Sequence, residues 1–159
     1  MHISHISAVL ALLIACAFSS SALAESLSVK KSAHGILYVT GGISEEEADT
    51  LAAYQKKFSV RFVFSEGISG RAATPVNANI YGTNDQLVFR IVGAQPQLLV
   101  NLPAGTYTIL ARYNGELLRH KFTLASNAHK KIVLNWKNLV DEDMLDDETS
   151  VTSEENEDQ

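Results

Sequence analysis

Apolar and polar residues change their period once along this chain. Ala48, Leu51, Ala52 and Phe58 recur at spacings of three and four and, with Gln55, share one helical face. Ser44 stands before them as an N-cap, and Glu47 follows three residues later. Glu45, Glu46 and Glu47 fill the first turn, where the helix dipole favours anions. The spacing predicts a helix over 44–58. From Ser59 the pattern alternates instead, with Val60, Phe62 and Phe64 on one face and Arg61 and Val63 opposite. Further short β runs follow at 76–81, 86–92, 97–102, 106–113, 116–124 and 130–137, and another precedes the helix at 34–40. Turn-formers separate them: Gly67, Gly70, the group Gly82, Thr83, Asn84 and Asp85, and Gly93 before Pro96. Asn114 and Gly115 form a two-residue hairpin signal. About seven short strands at spacings of roughly 8–12 residues predict a mainly β domain, a seven-stranded antiparallel β-sandwich over 34–137 with one short helix. Residues 25–33 are polar and are expected to be flexible.

The N-terminus follows neither period. Residues 8–18 are all apolar and lead through three serines to Ala22, Leu23 and Ala24. An apolar stretch of this kind before a small-x-small site predicts a secretory signal peptide over 1–24. Cleavage after Ala24 leaves Glu25 as the mature start. The stretch is shorter than the roughly 18–20 residues that a membrane span needs. A second reading makes Cys16 a lipidated residue, because Leu13-Ile14-Ala15-Cys16 resembles a lipobox; that would anchor the chain to a membrane. Against it, Ala17 and Phe18 continue the apolar run. Cleavage at Ala24 removes the chain's one cysteine, and thiol catalysis and Cys-based metal sites go with it. The expected location is periplasmic or secreted, with no transmembrane helix in the mature chain.

Charge is distributed unevenly. The net charge of −5 conceals residues 25–137, which hold all 13 basic groups against 8 acids, and residues 138–159, which hold 10 acids and no base. The C-terminal segment has no aromatic residue and few large apolar ones, a composition that predicts a disordered acidic tail. Three roles compete for it: solubility, weak collection of divalent cations or basic partners, and screening of the basic domain. Arg112, Arg119 and Lys121 fall on outward positions of one predicted hairpin, with Lys130 and Lys131 on the strand after it. These five form a candidate binding surface for a polyanion. Edge strands also carry charge simply to prevent edge-to-edge pairing.

The run from Asn101 through Leu102, Pro103, Ala104, Gly105, Thr106, Tyr107 and Thr108 to Asn114 and Gly115 resembles the penultimate hairpin of carboxypeptidase regulatory-like domains, which are grouped with transthyretin-like and Cna B-type modules. The segment from Gly41 to Phe64 is similar to small exported Gram-negative proteins of this type. The resemblance covers about 35–137 and implies a prealbumin-like sandwich, with Tyr107 as the inward aromatic after a Pro-x-Gly turn. It marks a fold and implies no activity. Transthyretin-like hydrolases of purine breakdown end in Tyr-Arg-Gly-Ser, whereas the last strand here ends in Trp136 and Lys137. A Cna B-type isopeptide needs a buried Lys where Arg61 stands, although Asn135 would suit the other half.

The inventory for catalysis is thin. His34, His120 and His129 show no ligand spacing; His120 shares a face with Leu118 and Phe122 and reads as a core-edge residue. Ser69, between Gly67 and Gly70, lacks the spacing of a nucleophile elbow. Glu66, Asp85 and Glu116 stand at turn edges, where solvated acids are the rule. Gly41 and Gly42 before the helix are too little for a phosphate loop. No cofactor or metal is expected. The sequence therefore predicts a non-catalytic exported sandwich that serves as a binding or structural accessory module of the cell envelope. The alternative is an electrostatic binder of polyanions through the basic face, or of cations through the acidic tail. Its partner is an envelope protein or glycan; nucleic acid is not expected, and the sequence leaves the oligomeric state open.

Overall fold

The alternation that begins at Val60 becomes the central strand of the fold. The computed structural model describes residues 27–137. In chain order it contains β1 (Lys30–Lys31), β2 (Leu37–Gly41), helix α1 (Glu45–Tyr54), a 3₁₀ turn (Gln55–Lys57), β3 (Val60–Glu66), β4 (Arg71–Ala72), β5 (Val76–Tyr81) and β6 (Leu87–Ala94), followed by β7 (Gln97–Val100), β8 (Gly105–Tyr113), β9 (Glu116–Leu124) and β10 (Lys130–Trp136). The first sheet has the order β1-β2-β7-β3-β10, with β4 also paired to β3, and the second has the order β6-β5-β8-β9. The fold is mainly β, two sheets with one helix.

The sheets meet through their alternating apolar faces. Val60, Phe62 and Phe64 of β3 and Leu134 and Trp136 of β10 pack in one core with Ile80 of β5, Phe89 of β6, Ile109 of β8 and Phe122 of β9. Aromatic contacts cross between the layers: Phe62 meets Phe122 edge-on at 5.5 Å, and Trp136 lies 5.4 Å from Tyr113. Fully burying each such side chain contributes about 1.5–3 kcal/mol.

Two features depart from a seven-stranded antiparallel sandwich. Ten strands are described: the two-residue β1 and β4 fall outside the runs read from the sequence, whereas β2 answers to the run expected at 34–40. In addition, β10 runs parallel to β3, from Lys130 opposite Val60 to Trp136 opposite Glu66. The cause is the loop after β9, which carries the chain back to the start of β3. There Lys130 N donates to Ser59 O at 2.9 Å, and the His129 ring is held at Phe58 O at 2.8 Å. A strand that begins where β3 begins, on the same edge, can only run beside it in the same direction.

The polar segment 27–33, expected loose, is partly paired. Lys30 lies opposite Tyr38 and Lys31 opposite Leu37, across a turn in which Ser32 bonds Ile36 through both backbone and side chain. The helix also stops earlier than predicted. Phe58 turns extended, with φ −120 and ψ 143, and buries its ring beside Val39, Leu51 and Leu99. A helical Phe58 would keep β3 from starting at Val60. Ala52 is exposed, and Tyr54 takes its place against this small second core. The cap is as expected, with Glu47 N donating to Ser44 Oγ at 3.2 Å. Glu47 Oε2 accepts from both Gly42 N and Ile43 N at 3.0 Å, which fixes the turn into the helix.

The helix thus covers part of the outer face of the first sheet. This explains why Leu98, Leu99 and Val100 of β7 are all buried and do not alternate. Among the described residues no helix is long and apolar enough to cross a membrane. The predicted export segment, with Cys16, Ala22, Ala24 and Glu25, and the acidic segment 138–159 lie outside the described residues.

Candidate anion-binding face

The outer face of the second sheet is built by period-two alternation in four adjacent strands. In β8, Tyr107, Ile109, Ala111 and Tyr113 are buried, which turns Thr106, Thr108, Leu110 and Arg112 outward. The turn to β9 uses Asn114 and Gly115 at φ 46 and 84, as its sequence predicts. It sets a register in which Arg112 faces Leu117, Leu110 faces Arg119, and Thr108 faces Lys121. On the other side β5 places Asn77 against Arg112 and Asn79 against Leu110, and β6 places Arg90 against Asn79. Arg90, Asn79, Leu110 and Arg119 therefore form one row across the whole sheet, with Arg112 and Lys121 in the flanking rows. At about 4.8 Å between strands, the two ends of that row stand roughly 14 Å apart.

The polar groups between the cations are held in place. Asn77 Oδ1 accepts from Gly93 N at 2.9 Å, Arg112 Nη1 donates to Gly115 O at 3.0 Å, and the hydroxyls of Thr106 and Thr123 lie 3.0 Å apart. Beside the row a shallow groove of about 210 Å³ is lined by Tyr81, Asp85, Thr108, Leu110 and Arg119. A second, of about 320 Å³, continues past Arg119 to Lys121. The strands of this sheet carry Arg90, Arg112, Arg119 and Lys121 against a single acid, Glu116. Arg90, Arg119 and Lys121 are all exposed and form no ion pair among the described residues. Such a surface attracts anions, with a range set by the Debye length of about 8 Å at physiological ionic strength.

The five cations singled out in the sequence do not share one surface. Arg112, Arg119 and Lys121 belong to the face just described. Lys131 lies in the other sheet, opposite Arg61. Lys130 bridges the open side between the sheets, where its Nζ donates to Thr123 O of β9 at 3.2 Å. The split follows from β10 joining β3 rather than β9. Conversely, Arg90, Asn79 and Tyr81 belong to the face and were not singled out. Arg90 alternates with buried Phe89 and Ile91, so its outward direction was legible, but its neighbours were not.

The remaining candidates are scattered. His34 is exposed in the turn before β2, and His120 is exposed at the edge of the core, stacked against Phe122 at 6.5 Å. His129 Nδ1 faces a carbonyl oxygen, which only accepts, so that nitrogen carries the proton. Among the described residues no three His, Cys, Asp or Glu side chains gather as a metal site. Ser69 and Gly70 fall in the turn before β4. Glu66, expected to be solvated, is largely covered. It pairs with Arg71 at 3.4 Å and faces the Tyr113 phenol. Burial, followed by the neighbouring Glu66 carboxylate, raises that phenol above its ordinary value. Arg61 points to the outer face of its sheet, where it bonds Gln55 Oε1 at 2.9 Å and Gln97 Oε1 at 2.7 Å. Asn135 donates to Ser65 Oγ and Gly67 O. Because Asn135 is in register with Ser65 and Arg61 with Lys131, the two halves considered for an isopeptide are far apart along the strands.

The chain matches no family model and no curated protein.

Proposed function

We propose that this chain is a non-catalytic accessory module of the cell envelope that captures an anionic envelope component through the outer face of its second sheet. The row Arg90, Asn79, Leu110 and Arg119, flanked by Arg112 and Lys121, carries this reading. It favours electrostatic capture over docking on an apolar surface. Four cations on a rigid sheet, spaced by amide and hydroxyl groups, suit an extended ligand with repeated negative charges, such as an acidic glycan or a lipid headgroup array. Export to the periplasm or beyond is part of the reading and rests on residues 1–24.

The finer fold reading is a prealbumin-like sandwich of carboxypeptidase regulatory-like type. It is supported by the turn at Pro103 and Gly105, which leads into a buried Tyr107 whose hydroxyl donates back to Pro103 O at 2.8 Å.

Heparin chromatography and sedimentation with anionic-lipid vesicles, at low and high salt, test the function. The expected result is retention at low salt that is lost at high salt, and lost at low salt in the double variant R119E/K121E. Binding that is indifferent to both salt and the double reversal would rule out capture through this face.

A further inference from the structure

We infer that the acidic segment 138–159 docks on the same basic face and competes there with the anionic partner; this rests on the function proposed above. The first argument is where the described chain ends. Trp136, at the close of β10, donates from Nε1 to Glu116 O at 3.3 Å. Lys137 leaves from the first sheet, where Gly67 N donates to Trp136 O at 3.0 Å, and the Trp136 side chain reaches across to the first residue of β9 next to the tip formed by Asn114 and Gly115. Arg112 is held at that tip through Gly115 O. Along β9 from this point, the outward positions are Leu117, Arg119 and Lys121 in order.

The second argument is complementarity. Residues 138–159 hold ten acids and no base. Leu139 and Val140 come just after the exit, and Asp141, Glu142 and Asp143 follow. The face offers the same sequence of chemistry, with Leu117 half exposed at 50% nearest the exit and Arg119 and Lys121 beyond it. Length is sufficient. At about 3.3 Å per residue the 22 residues reach roughly 70 Å, against roughly 30 Å for β9.

A tethered segment acts at an effective concentration on the order of 1 mM. A contact whose intrinsic Kd is about one tenth of that concentration covers the face about nine tenths of the time and weakens partner binding about tenfold. Because the contact is ionic and exposed, about 1 M salt, with a Debye length of about 3 Å, releases it.

Two readouts on the mature chain separate this inference from the function it rests on. Zero-length carbodiimide coupling at low salt should join tail carboxylates to Lys121 in preference to Lys56 and Lys57, which flank the opposite end of the sandwich. High salt should abolish the preference. Coupling spread evenly over these lysines would overturn the docking, whatever the chain binds. The second readout is heparin affinity of the variant D141N/E142Q/D143N/D146N/D147N/E148Q, expected to be about tenfold tighter than the parent at low salt. An unchanged affinity overturns the competition. If Lys121 is coupled selectively but neither protein binds heparin or anionic vesicles, docking stands and the proposed capture fails.

Discussion

Replacing Tyr107 by Phe tests how the hairpin beneath the basic face is held. The ring is 9% exposed and packs 5.7 Å from Phe122, so Phe keeps the apolar contact and deletes only the hydroxyl. That hydroxyl donates to Pro103 O at 2.8 Å. A hydrogen bond of this kind contributes about 1 kcal/mol net, whereas stranding a buried partner costs about 1–3 kcal/mol. Pro103 is exposed, so water replaces the lost donor and the smaller figure applies. For a small domain about 1 kcal/mol lowers Tm by roughly 4–8 °C. The phenol adds a signature that Phe lacks. Burial raises it above its ordinary value of 10.0, so the folded state keeps a proton that the unfolded chain gives up. The stability tied to that proton is complete below the ordinary phenol value and falls as pH rises through the folded one. The deficit of Tyr107→Phe should therefore be constant through neutral and mildly alkaline pH and should narrow above the phenol range. Urea denaturation followed by Trp136 fluorescence measures both. A loss well beyond about 3 kcal/mol at neutral pH, or a deficit that widens in alkali, refutes the reasoning.

Two further substitutions probe the layer beneath α1. Gly42 has φ +92, and a Cβ there would stand 2.9 Å from the Gln97 side chain that anchors Arg61; Gly42→Ala should cost about 1–3 kcal/mol in thermal denaturation. A variant as stable as its parent would show that this turn relaxes freely. Leu51→Ala empties the centre of the small cluster with Val39, Phe58 and Leu99 and should cost about 2–5 kcal/mol locally. Hydrogen exchange should then speed up across Glu45–Tyr54 while the amides of β5 and β8 keep their protection; equal loss in all three would show that helix and sandwich open as one unit.

The basic face explains how a chain of net charge −5 can be read as an anion binder. The acids that set the total lie beyond Lys137, whereas the cations that set the local field are fixed on strands. An isoelectric point describes the sum, and a partner meets the local field.

What the sequence determined by itself is whatever depends on neighbours along the chain. The cap at Ser44, the Asn114 and Gly115 turn, the inward Tyr107 and the inside or outside direction of almost every strand residue were legible, because period two and local turn chemistry fix them. Beyond the β8–β9 hairpin, partner strands were decided only by the tertiary structure. Alternation says that Arg90, Arg119 and Lys131 point outward, but not that the first two end one row while the third lies in the other sheet. The parallel β10, the pairing of Lys30–Lys31 and the covering of Glu66 have the same origin. Each depends on which distant segment returns to which edge. That choice is made by burying Phe62, Phe122 and Trp136 together, a packing term spread over the whole core and written in no single stretch of residues.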